Sequence, residues 1–229
     1  MRTRHIFASL LIGAVVMFTG GCSDDSTSSN GTYIDVSFQD MAPSGAAIIA
    51  QGQPALSSVN ITSARVVIGK ILFEGDSGDS ARFHSEEHEP LIVELDLSGR
   101  NHRLGVLAVS PGTYTRSLFR IERLEESAVD AFAAYPEMRG VSIRIEGYVN
   151  GFADSTFLFT TTLDEEQQLT FDPLVIGEND REQIIFQFDH RDWFRDEGGV
   201  IIDPREAQIA SSRSIVETNL VNAFDIAHP

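Results

Sequence analysis

The chain has 229 residues, 42% of them hydrophobic, enough apolar material for one domain with a sizeable core. Its 34 acidic residues outnumber 17 basic ones and give a formal charge of −17. A surface that negative repels phosphate backbones and excludes nucleic acid as a partner.

The first predicted element is a leader. Arg2, Arg4 and His5 make a basic start, and Ile6 to Phe18 is an unbroken run dominated by apolar residues. A bilayer-spanning helix needs about 20 such residues, so this run is too short to span but suits the core of a signal peptide. Thr19-Gly20-Gly21-Cys22 follows. These residues resemble a lipobox, the mark of bacterial lipoproteins, with Thr19 standing where leucine is usual. The resemblance implies that residues 1–21 are removed, that Cys22 is lipidated with palmitate among its acyl chains, and that the lipid holds the protein on a membrane. Loss of the leader takes away Arg2 and Arg4 and no acid, so the mature charge stands near −19. Cys22 is the only cysteine, so no disulfide competes for its thiol.

Residues 22–31 read as a polar tether, because Ser, Asp, Asn and Gly cannot build a core. Ser23 does not resemble the aspartate that retains lipoproteins in the inner membrane. Ser23-Asp24-Asp25 resembles an acidic signal that sends some lipoproteins to the cell surface. The implied address is the cell envelope, at the outer membrane on its periplasmic face or the cell surface, rather than the inner membrane.

Residues 32–229 read as one β domain. Strands alternate with period two when one side is buried. Tyr33 to Asp40 does so, with Ile34, Val36 and Phe38 on one face. Ile61 to Phe73, Leu91 to Leu97, Thr113 to Leu124, Val141 to Val149, Ser155 to Leu163, Leu169 to Ile176 and Gln183 to Asp189 complete about eight strands. Turn residues separate them and no strand–helix–strand rhythm appears. The predicted fold class is therefore all-β, a two-sheet antiparallel sandwich. Ser110-Pro111-Gly112-Thr113-Tyr114 predicts a type II turn with positive φ at Gly112, opening a strand. This element resembles one found in transthyretin-like and carboxypeptidase-regulatory-like sandwiches and in an uncharacterised family of bacterial lipoprotein sandwich domains. The resemblance implies a fold and carries no catalytic residues.

Two segments break the β pattern. Glu125 to Ala134 is alanine-rich and stops before Pro136, reading as a short helix between strands or a structured loop. Ser214-Ile-Val-Glu217 fits a capping box, and Val216, Leu220 and Phe224 then recur every four residues. That pattern predicts a short C-terminal amphipathic helix over about 214–225 packed on the sandwich.

Candidate chemistry lies in two acidic loops, 75–90 and 189–199. His84 and His88 formally match the inverted zincin pattern H-x-x-E-H, but their stretch has no apolar face and ends at Pro90. Weak transition-metal binding by the two histidines suits that context better than a protease site. Asp189, Asp192 and Asp196 are candidate Ca²⁺ ligands, without the spacing of a calcium loop, in a segment that otherwise reads as ion pairs with Trp193 and Phe194 closing one end of the sandwich. Trp193, the only tryptophan, is a candidate ligand-binding platform for a sugar. No G-x-S-x-G elbow, phosphate loop or C-x-x-C pair occurs, so no catalytic residues are assigned and an enzyme is not expected. The expected function is a membrane-anchored, non-enzymatic binding or structural module with an envelope protein or glycan as partner. The alternative is a metal-ion or small-ligand-binding lipoprotein using the two acidic loops.

Overall fold

The computed structural model describes residues 31–228 except 44, 50–54, 76, 77, 79 and 84–88. The predicted leader, the tether up to residue 30 and the His84–His88 pair therefore lie outside the described residues. Within them the domain is a mostly antiparallel two-sheet sandwich, as its alternation predicted.

The strands are β1 (Tyr33–Asp40), β2 (Ile48–Ile49), β3 (Ser58–Gly75), β4 (Ser80–Phe83), β5 (Leu91–Glu94), β6 (Asn101–Ala108), β7 (Gly112–Ile121), β8 (Ile143–Val149), β9 (Thr156–Thr161), β10 (Glu165–Ile176), β11 (Arg181–Phe188) and β12 (Asp225–Ala227). The smaller sheet runs β12-β11-β1-β6. Its centre departs from the expected antiparallel pattern, because β1 pairs with β11 in parallel, Tyr33 opposite Arg181 through Asp40 opposite Phe188. Parallel neighbours need a long connection, and here the other sheet supplies it.

β3 is the spine of the larger sheet. It pairs with β7 over its second half and with β8 over its first half. β5 shares Ile68 with β7 and shares Arg65 and Val66 with β8. A strand has two edges, so β7 and β8 run end to end along one edge of β3, with β4 and β5 along the other. Val67 marks the junction: its N–H donates to Ser142 O (2.8 Å) and its carbonyl accepts from Glu122 N (3.2 Å).

Residues 122–142 leave the sheet at that junction and return to it. They form helix α1 (Val129–Ala134) and a 3-10 turn (Pro136–Met138). The excursion buries the outward-facing Val67 under Leu124, Ala128 and Met138. Val141, at the start of the predicted strand Val141 to Val149, packs in this outer cluster. α1 has no side-chain cap of its own. Glu89, just before β5, supplies one from outside: its two carboxylate oxygens accept from Asp130 N and Ala131 N, each at 3.4 Å.

The principal core lies between the sheets. Phe38, Phe119 and Phe186 meet there, with Phe119 and Phe186 centroids 5.3 Å apart. The P-G-x-Y element plays a different part from the one expected. Gly112 is not among the positive-φ glycines; it already sits in the ladder opposite Ile176. Tyr114 is buried, and its hydroxyl donates to Ser110 O at 2.9 Å, fixing the turn from the side chain instead.

The C-terminal helix, α2 (Ala210–Val221), begins a turn before the expected capping box. Ser214 lies inside the helix, where its carbonyl accepts from the Thr218 hydroxyl. Glu217 bonds Arg213 (2.9 Å) and the Thr161 hydroxyl, tying α2 to β9. Val216 and Leu220 are buried as their spacing predicted. Phe224 lies beyond the helix, yet it still enters the core 5.0 Å from the Phe119 ring.

Candidate functional site

The segment after β11 holds most of the predicted site residues. Asp189 caps a 3-10 turn (His190–Asp192) by accepting from Arg191 N at 2.9 Å, and it forks the Arg191 guanidinium. That guanidinium holds the Asp189 carboxyl below the usual carboxylate range, with burial opposing and the Arg191 N–H assisting. Asp192 is largely exposed and stands 3.5 Å from Arg195. Asp196 accepts from Val200 N at 2.8 Å and closes the tight turn at residues 196–199. Each carboxylate is engaged locally. Among the described residues no three His, Cys, Asp or Glu side chains gather closely enough to hold a metal ion.

Trp193 corrects the sugar-platform expectation, because its side chain is only 1% exposed. It stacks on Phe188, centroids 5.8 Å apart at 22°. Phe194 meets Phe157 and Phe159 edge-on, each at 5.7 Å. Asn219 of α2 reaches under the turn and donates to the carbonyls of Asp192, Trp193 and Arg195. His190, Trp193, Phe194 and Ile201 of this segment thus belong to the core, with Phe194 packed against β9. An aromatic ring with both faces packed in protein offers no surface for a ligand to stack on.

His190 is the functional feature that sequence reasoning missed. Its Nδ1 lies 2.6 Å from Asp40 Oδ2, and both side chains are almost wholly buried. Its Nε2 lies 3.1 Å from the Ala46 carbonyl oxygen, which can only accept. Asp40 Oδ1 accepts from Ala42 N at 3.0 Å, so the carboxylate is also fully engaged. Burial alone would lower the His190 pKa. The Asp40 carboxylate and the Ala46 carbonyl outweigh it and hold the imidazole above its ordinary value of 6.5. The two partners are about 150 residues apart in the chain, and no local pattern links them. The only local signals were an acid ending β1 and a histidine just after β11.

This pair underlies a small cavity of about 130 Å³, lined in part by Gly45, Ala46, Asn60, Thr62, Tyr148 and His190. A more open cleft adjoins it through Gly45, Thr62 and Leu97, and continues to Glu94, Asp96 and His102. Around the same end Met41, Ile49 and Phe152 stand half or more exposed. No bound group is needed to satisfy His190 or Asp40, since every ring nitrogen and carboxylate oxygen already has a partner.

Fold and site together define a β-sandwich whose 189–199 segment buries Trp193 and Phe194 in the core, and one end of which carries a polar cleft with apolar side chains around it. No protein-family model and no curated protein matches the chain. Among solved structures it is similar to MbnP from Methylosinus trichosporium, at 10% identity over 75% of this chain and 79% of that one, with a TM-score of 0.38. A likeness that loose leaves function to be argued from the residues themselves. No helix among the described residues is long and apolar enough to cross a membrane.

Proposed function

We propose that the protein is a lipid-anchored component of the bacterial cell envelope, held by an acylated Cys22, and that its sandwich is a non-enzymatic module binding an envelope protein or glycan. Cys22 carries the reading: the sole cysteine stands directly after an apolar leader and small residues, eleven positions before β1. The start of the domain is pinned at Thr32. The Thr32 carbonyl accepts from Val109 N (3.0 Å), and its hydroxyl donates to Gly177 O (3.0 Å) and accepts from Asn179 N (3.1 Å). β1 then carries the chain about 25 Å, at roughly 3.3 Å per residue, before Met41 emerges. The exposed Met41, Ile49 and Phe152 and the adjoining cleft therefore belong to the end of the domain opposite Thr32, an end open to a partner.

Palmitate labelling in cells tests the anchor: label on the wild type and none on Cys22→Ser. An unlabelled wild type overturns it. Retention of the soluble Cys22→Ser chain on envelope fractions tests the module. Adding Ile49→Ser and Phe152→Ser should lower that retention several-fold, and unchanged retention rejects this end as the binding surface.

A further inference from the structure

We propose that the buried His190–Asp40 pair is a proton-operated clamp, which fastens the connection between β1 and β2 to the end of β11 in its protonated form and loosens it when the imidazole loses a proton.

The geometry fixes one proton on Nε2 and places a second between Nδ1 and Asp40. Ala46 O can only accept, so Nε2 carries a proton. Asp40 already accepts from Ala42 N on Oδ1, and its Oδ2 faces Nδ1 at 2.6 Å. In the clamped form proposed here that second proton sits on Nδ1, so the ring is an imidazolium with both protons directed at oxygen. When it deprotonates, the Nδ1 proton stays with the carboxylate and the Nε2 proton leaves. The Nε2 lone pair then faces the lone pairs of Ala46 O, and an attraction becomes a repulsion. The hydrogen bond that breaks is the one joining the β1–β2 connection to His190. Ala46 N donates to Pro43 O (2.9 Å) within the same turn, so the turn moves with Ala46.

The surroundings leave His190 in control of this change. From β1 it faces Asp40. Its own turn contributes Asp189 and Arg191, which are paired with each other. β8 contributes Tyr148, while β3 and the loop after β5 contribute only the uncharged Asn60, Ile61, Thr62 and Leu97. The Trp193 ring stands edge-on at 6.2 Å. Because His190, Gly45 and Ala46 form one wall of the 130 Å³ cavity, loosening the clamp loosens that wall.

The test uses the full chain in EDTA, so that no metal intervenes. Nitrogen-resolved NMR of His190 across about pH 5–9 gives its titration, and hydrogen exchange at the Ala42 and Ala46 amides gives the opening. The expected result is a titration above the ordinary histidine value, with exchange at both amides rising about tenfold more than base catalysis alone explains over the same interval. His190→Gln should abolish that extra rise. Asp40→Asn should shift the titration downward, and the wild-type titration and exchange stand as readouts even if His190→Gln fails to fold. A titration at or below the ordinary value, or amides whose protection ignores it, overturns the clamp.

Discussion

Residues 75–90 and 189–199 look alike in sequence, both acidic and both ringed by turn residues, yet the fold uses them in opposite ways. The described part of the first lies on the flank of the large sheet, against β3. It contributes the short β4, with Ala81 and Phe83 turned inward, and Glu89, which reaches sideways to cap α1. The second is driven into the molecule by two adjacent aromatics. It takes the place that a second sheet would occupy over β9, with Trp193 and Phe194 as its buried face. Acidic composition therefore decides little about exposure. What decides is whether the neighbouring sheet has an apolar face left uncovered.

Truncating the buried segment should break the contrast most severely. Phe194→Ala removes a ring with packed neighbours on β9 and should cost about 3–5 kcal/mol in chemical denaturation. A loss of less than about 0.5 kcal/mol, the range of ordinary surface substitutions, would mean that residues 189–199 are a surface loop after all. Next comes pH. His190 holds its proton more tightly in the folded protein than in the unfolded chain. Its stabilisation is therefore complete below about pH 6.5 and is lost as pH rises through the higher folded value. Urea midpoints measured across that range should fall for the wild type and stay flatter for His190→Gln. Parallel slopes for the two proteins would dissociate the pair from stability.

The flanking loop should respond more mildly. Glu89→Ala uncovers the first amides of α1 and should cost about 1 kcal/mol, with faster hydrogen exchange at Asp130 and Ala131. Smallest of all is Asp192→Ala. Its ion pair with Arg195 is loose and exposed, so the expected change is within about 0.5 kcal/mol. The same variant sharpens the question of ion binding. Calcium should leave the melting temperature of both wild type and variant unmoved, and a rise confined to the wild type would restore Asp192 as a ligand.

Period-two alternation was legible wherever a strand had one wet and one dry side, which is why Ile34, Val36 and Phe38 in β1 and Ile184, Phe186 and Phe188 in β11 face inward as expected. It was silent for β6, an edge strand whose side chains remain largely in solvent, and for β2, β4 and β12, which are too short to show a period. Helical spacing placed Val216 and Leu220 correctly, but the capping box started the helix too late, because Ser214 fits a cap equally well in a chain whose entry turn is unknown. No local pattern could pair β1 with β11, nor Asp40 with His190.

The sequence by itself determined the class of structure, because burial on one face imposes a pattern that neighbours along the chain must share. Only the tertiary structure decided which polar groups go inside. A buried charge is tolerable when its partner waits at the right place, and that partner here comes from the far end of the chain, brought close by a parallel pairing that no stretch of residues announces on its own.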